Sequence, residues 1–111
     1  MKAHKALSLA GLAARAGKVM SGEFAVDKAI KTGKAFLVIA AEDASDNTRK
    51  KFLNSCKYYQ IPFRICSDKE TLGHAIGRQE RAVIAISDRG LAEAVRKVLP
   101  EEAGSGNTIE E

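Results

Sequence analysis

A run of seven apolar residues, AFLVIAA at positions 35–41, constrains the fold of this chain more than any other segment. The run is continuous, whereas a strand with one solvated face alternates apolar and polar residues. It is also far shorter than the roughly 20 apolar residues that a membrane-spanning helix requires. These features predict a strand that is buried on both faces, and such a strand needs a layer of structure on each side.

Shorter apolar segments with strand character recur along the chain, and segments with helical spacing of apolar residues separate them. The other predicted strands are residues 18–21, 61–66 and 82–86. Helices that alternate with short strands favour an α/β arrangement. The predicted fold class is therefore α/β, a three-layer α/β/α sandwich with a small central mixed sheet of about four strands. Residues 1–99 are predicted to form a single domain.

Capping residues mark where the helices begin. Ser45 and Asp88 are each predicted to cap the helix that follows, and either Ser21 or Gly22 caps the second helix. The segment Ser67–Glu70 has the pattern of a capping box, with a serine hydroxyl followed three residues later by a glutamate. The helix after Ser45 is predicted to place one apolar stripe inward, made of Phe52, Leu53, Cys56 and Tyr59.

The end of the chain differs in composition from the rest. Residues 100–111, PEEAGSGNTIEE, have little to bury, and this acidic tail is predicted to be disordered. All 18 Lys and Arg residues lie within residues 1–99, but only 10 of the 14 acidic residues do, so this part carries a net charge of +8. A domain this basic is a candidate for a polyanion partner, although the charge can also serve solubility alone.

The two cysteines indicate no disulfide framework and no metal site. Cys56 and Cys66 lack the paired Cys or His spacing of a zinc site, so we expect buried thiols in a reducing compartment and no cofactor. The Ala- and Leu-rich N-terminus is interrupted by Arg15 and Lys18 and has helical spacing. It predicts a core helix and not a signal peptide. We expect a cytoplasmic protein without membrane association.

The candidate catalytic residues are few and scattered. His4 and His74 are the only histidines, and both are predicted to be partly exposed helix residues without a catalytic role. Glu42 and Asp43 follow a strand, but no second acidic cluster accompanies them, which favours capping and charging of the next helix start. No glycine-rich nucleotide loop is present. The sequence therefore predicts that the protein is not an enzyme.

The junction around Gly22 has the features of an anion site. A helix N-terminus offers unpaired N–H groups and a partial positive charge, and a glycine there leaves room for a phosphate. Lys18 and Lys28 add positive charge on either side. The alternative is an ordinary solvated helix face, on which lysines are common.

Six segments, taken together and in order, resemble the L-seven-Ae ribosomal-protein superfamily, and most closely its YlxQ-like bacterial family. They are LAARAGKVMSG, VDKAIKTGKA, LVIAAEDAS, IPF, LGHAIG and AVIAISDRGLA, within residues 5–99. The resemblance implies an α/β/α sandwich and RNA binding. In kink-turn-binding relatives, the second helix opens with a Gly-x-Asn-Glu-Val-x-Lys pattern that enters the groove of a sharply bent RNA beside sheared G·A pairs.

This chain keeps part of that pattern. Gly22, Val26 and Lys28 match it, but Phe24 and Ala25 stand at the Asn and Glu positions. Neither can hydrogen-bond to a base edge through its side chain, so shape and charge remain as the means of recognition. Phe24 can stack on a base if it is exposed, but its position favours the core. Glu23 can accept a hydrogen bond from a guanine, although a role at the helix start is favoured.

The basic loop, residues 77–81, is the second region that the resemblance implicates. Its sequence is GRQER. The guanidinium groups of Arg78 and Arg81 suit contacts to phosphates or stacking on bases. The alternative is an ordinary polar surface loop. In the family fold this loop lies beside the second helix. The candidate RNA-binding residues are Lys18, Ser21, Gly22, Glu23, Phe24, Lys28, Arg78 and Arg81.

The sequence predicts a non-enzymatic RNA-binding protein. The resemblance implies structured RNA as partner, ribosomal RNA or a kink-turn, with the ribosome as context, and we expect a monomer. The alternative is a protein-interaction or scaffold module that no longer recognises kink-turns, because Phe24 and Ala25 replace the Asn and Glu of the family pattern.

Overall fold

Five helices and four strands alternate along the chain in the computed structural model, which describes residues 2–100. The predicted tail lies outside the described residues, apart from Pro100. The elements are α1 (Lys2–Arg15), β1 (Val19–Ser21), α2 (Glu23–Lys31), β2 (Leu37–Ala40), α3 (Asp46–Tyr59), β3 (Phe63–Ile65), α4 (Lys69–Ala75), β4 (Val83–Ile86) and α5 (Arg89–Val98).

The four strands form one mixed sheet in the order β1-β4-β2-β3. β2 pairs with β3 in parallel, with Val38 opposite Phe63, whereas β4 is antiparallel to both β1 and β2. The predicted mixed four-stranded sheet is confirmed. β1 and β3 are the edge strands, and all residues of the central strands β2 and β4 are buried.

The two faces of the sheet carry separate hydrophobic clusters, which explains the continuous apolar run. Leu37 and Ile39 of β2 pack with residues of α1, α4 and α5, whereas Val38 and Ala40 pack with residues of α2 and α3. Successive side chains of a strand point to opposite faces, so both sets must be apolar when both faces are covered. The three-layer α/β/α sandwich is confirmed.

The helix caps agree with two predictions and correct a third. The Ser45 hydroxyl accepts from the backbone N–H of Thr48 at 3.1 Å, and the Asp88 carboxylate accepts from Leu91 at 2.8 Å. The capping box at Ser67 is wrong, because Asp68 is the cap and accepts from the N–H of Thr71 at 2.7 Å. Hydrogen bonds from Thr71 hold the pKa of the Asp68 carboxyl below its ordinary value. Ser67 instead adopts a left-handed conformation with φ of 64°.

The apolar stripe of α3 is shorter than predicted. Phe52 and Cys56 are buried, but Tyr59 is 42% exposed and its ring meets that of Tyr58 edge-on at 4.9 Å. Cys56 and Cys66 are both buried, and burial raises the pKa of the Cys56 thiol to about 12. Residues 2–100 contain no cluster of three or more potential metal ligands among His, Cys, Asp and Glu. In the same range, no helix is long and apolar enough to span a bilayer.

Candidate nucleic-acid interface

Gly22 lies between β1 and α2 and makes a backbone hydrogen bond to each of the two neighbouring structures. Its N–H donates to Val83 O at 3.0 Å, as the last bond of the β1–β4 ladder, and its carbonyl accepts from Val26 N at 3.0 Å, as the first bond of the helix. Gly22 is therefore the cap, and Ser21 is not. No side chain in the described part of the chain caps this helix start. The first N–H groups of α2 are thus left for solvent or a ligand, as an anion site requires.

The basic loop lies directly beside this helix start. Nε of Arg81 donates to Oγ of Ser21 at 3.0 Å, across 60 residues of sequence. The loop is also held to α4, because the backbone N–H of Arg78 donates to Gly73 O at 2.9 Å and that of Arg81 donates to Lys69 O at 3.0 Å. The exposed Arg78 helps to line a cavity of about 240 Å³ next to Val19 and Ser21.

The two predicted lysines differ in their position relative to the start of α2. Lys28 is exposed and lies one turn after Phe24 on the same face of α2. Lys18 lies at the other end of β1, about 13 Å from Gly22 at the rise of an extended strand. Among the described residues, Lys18, Lys28, Arg78 and Arg81 make no ion pair with an acidic side chain. Their positive charge is therefore available to a partner.

Phe24 is exposed, so the prediction of a core position is wrong. Its exposed fraction is 85%, whereas Val26, Ala29 and Ile30 form the buried face of α2. At 100° per residue, Phe24 is turned roughly 200° from Val26 and points away from the sheet. The prediction grouped Phe24 with Ala29 and Ile30, but the same geometry turns Phe24 about 140° from Ala29 and about 120° from Ile30, onto the opposite side of the helix.

Glu23 has a structural partner in α3. Its Oε2 accepts a hydrogen bond from Oγ1 of Thr48 at 3.0 Å, and Thr48 Oγ1 in turn accepts from Oγ of Ser45 at 3.0 Å. Thr48 is buried. The contact joins the starts of α2 and α3, which agrees with a role for Glu23 at the helix start. Sequence reasoning missed Thr48, since nothing in the local pattern links residues 25 positions apart.

We expect Thr48→Val to lower the free energy of unfolding by about 1 kcal/mol, because the Glu23 carboxylate loses its donor while the side-chain volume is preserved. Thermal unfolding measures the change. Thr32→Val is the matched control, since the Thr32 hydroxyl donates only to the nearby Lys28 carbonyl on an exposed surface. Equal unfolding temperatures for the two variants would contradict a structural role for the Glu23–Thr48 bond.

The remaining polar candidates lie elsewhere. Asp43 Oδ1 accepts from the backbone N–H of Lys69 at 2.9 Å, so this acid supports the start of α4. The prediction that it serves the following helix, α3, is wrong for Asp43. Glu42 is exposed. His4 and His74 are exposed on α1 and α4, and both line a surface groove of about 410 Å³ that is separate from the Gly22 helix start.

Comparison with known proteins shows which family this chain belongs to. The model of the ribosomal protein L7Ae/L30e/S12e/Gadd45 family matches residues 4–96, a range that includes all eight candidate residues. The chain belongs to this family. Membership confirms the resemblance that the sequence segments indicated.

Three relatives illustrate the similarity. The chain is 44% identical to the RNA-binding protein YlxQ of Bacillus subtilis over 91 residues, covering 82% of this chain and 91% of that protein. It is 33% identical to the large ribosomal subunit protein eL8 of Thermoplasma volcanium, covering 86% and 79%. A solved structure, the Giardia lamblia 15.5kD RNA binding protein, superposes with a TM-score of 0.72 at 29% identity, covering 83% of this chain and 82% of that one.

Proposed function

We propose that this member of the family is a non-enzymatic protein that binds structured, kink-turn-like RNA through the start of α2 and the basic loop. The observation that carries the proposal is the Arg81–Ser21 hydrogen bond, which joins the basic loop to a helix start that has no side-chain cap. The names of the relatives, an RNA-binding protein and a ribosomal protein, support an RNA partner and a ribosomal context. We propose that the protein acts in the cytoplasm.

The chemistry of this surface suits a phosphate backbone. The N–H groups at the start of α2 and the side chains of Lys28, Arg78 and Arg81 all favour negative charge. Phe24 and Ala25 offer no side-chain hydrogen bonds to base edges. Specificity then comes from the shape of a bent RNA, as is common in the recognition of RNA. One domain of this size needs no second copy to present the surface, so we propose a monomer.

Lys28→Ala is expected to weaken RNA binding and to reduce the slope of log affinity against log salt by about 1, since one phosphate contact is lost. The experiment titrates the protein into a labelled kink-turn RNA, and into the same RNA with Watson–Crick pairs in place of its G·A pairs, at low and moderate salt. Lys97→Ala is the matched control, because Lys97 is exposed on α5, on the opposite face of the sheet.

The pattern of results separates the candidate functions. Tight binding to the intact kink-turn alone supports recognition of its shape. Equal, salt-sensitive binding to both RNAs supports a general binder of RNA surfaces and contradicts kink-turn recognition. Binding to neither at low salt contradicts the RNA proposal. It favours the second candidate, a protein-interaction module, for which the exposure of Phe24 is the specific observation.

A further inference from the structure

An apolar groove runs along one flank of α2, next to the proposed RNA surface. Its volume is about 420 Å³. We call it the α2 groove; its apolar lining includes Met20, Phe24, Ala25 and Ala29, and its cationic members are Lys28 and Lys34.

The groove exists because α2 packs over the edge of the sheet. α2 contacts β1 and β4, and β1 has no neighbour on its outer side within the described part of the chain. The flank of α2 beyond β1 is therefore not covered. The alanines on this flank leave space, and Phe24, 85% exposed, stands beside it. A partner that covers this ring and the apolar groove would remove their surface from water, which favours binding.

We infer that the α2 groove holds one unpaired nucleobase of the bound RNA, stacked on Phe24, while Lys28 and Lys34 contact the flanking phosphates. This inference rests on the proposed function. Aromatic side chains stack bases, and neighbouring cations follow the backbone. Phe24 lies in the first turn of α2, so the groove is continuous with the proposed RNA surface.

The chemistry of the lining favours a nucleotide over a peptide side chain. No acidic residue is among the described residues that line the groove, and two lysines are. The apolar lining supplies few groups that can distinguish one base edge from another, since stacking alone tolerates every base. The groove is therefore expected to require the presence of a base but not a particular one.

The test uses Phe24 as both the contact and the reporter. The chain contains no tryptophan, so Phe24→Trp introduces a single indole at the groove. A set of kink-turn RNAs, each with one unpaired nucleotide made abasic, is titrated into this variant. We expect near-wild-type affinity, quenched tryptophan emission on binding, and loss of quenching with one abasic RNA. Changing the base at that position should preserve quenching.

Phe24→Ala is expected to weaken binding of the intact kink-turn RNA roughly 5- to 150-fold, the range for loss of one stacked base. Tyr58→Ala and Tyr58→Trp are the controls, because Tyr58 is 81% exposed on α3. Neither variant should change the affinity for RNA, and the tryptophan emission of Tyr58→Trp should not be quenched when RNA binds.

Three results would overturn the inference in distinguishable ways. If Phe24→Ala binds RNA as the wild type does and the Phe24→Trp emission does not change, the groove holds no base. The proposed function still stands in that case if RNA binding depends on Lys28. If no RNA binds even at low salt, both fail together. Emission that responds to a protein partner but not to RNA also overturns the inference.

Discussion

Gly73→Ala is expected to lower the free energy of unfolding by about 1–3 kcal/mol and to displace the basic loop from the start of α2. Gly73 lies buried in α4, and a Cβ there would stand 1.8 Å from Gln79 O, a backbone atom of that loop. The carbonyl of Gly73 also accepts the N–H of Arg78. The methyl group can be accommodated only if the loop moves.

Thermal unfolding and RNA titration measure the two effects of Gly73→Ala. A fall in unfolding temperature of roughly 5–20 °C corresponds to the expected loss in a domain of this size. RNA affinity should fall at least as far as in an Arg78→Ala/Arg81→Ala double variant, because both guanidinium groups move with the loop.

Gly90→Ala is the matched control for this change. Gly90 also lies in a helix, but its Cβ would meet nothing closer than Oδ2 of Asp88 at 3.5 Å, an ordinary contact. Alanine is the better helix former by about 1 kcal/mol, so Gly90→Ala should be neutral or stabilising. A Gly73→Ala protein as stable as the wild type would show that the loop does not pack on α4 as described.

Gly22→Ala is expected to cost about 1–3 kcal/mol of stability and to weaken RNA binding more than Lys28→Ala does. Gly22 has φ of 92° and ψ of 157°, a conformation that is essentially restricted to glycine. Apart from Gly22 itself and its two chain neighbours, no atom lies within 4 Å of a Cβ built there, so the cost is backbone strain and not a clash. The new methyl group would project into the space that the proposed phosphate occupies.

Gly33→Ala is the control that separates the cost of backbone strain from an effect on RNA binding at the start of α2. Gly33 also has a positive φ, 76°, and open space around its Cβ, but it lies beyond the other end of α2. Both variants should lose stability by thermal unfolding, whereas only Gly22→Ala should lose RNA affinity in titration. Equal losses of affinity would contradict a role for the start of α2 in binding.

The fold could be predicted because its signals are local. The continuous apolar run around β2 requires two covered faces, and β4 repeats that pattern. Ser45 and Asp88 cap the helices that immediately follow them, within three residues of the groups they bind. The capping box at Ser67 failed because two adjacent capping residues, Ser67 and Asp68, compete for one helix start, and the left-handed backbone at Ser67 leaves Asp68 as the cap.

The candidate site could be predicted only in part. Gly22 as a cap and the position of the basic loop beside it agree with what the resemblance implied. The prediction of a core position for Phe24 was wrong because it grouped Phe24 with Ala29 and Ile30, whereas helix geometry separates Phe24 from each of them by more than about 100°. Asp43, predicted to serve the following helix, binds the N–H of Lys69 at the start of α4.

The sequence by itself determined the order of the elements, the buried strands, the basic charge and the glycine at the start of α2. These depend on residue type and on periods of two or 3.6 residues. Only the tertiary structure decided that Arg81 reaches Ser21 and that Glu23 binds Thr48, across 60 and 25 positions. Such contacts arise when packing of the two apolar clusters brings distant segments together, and no local pattern encodes them.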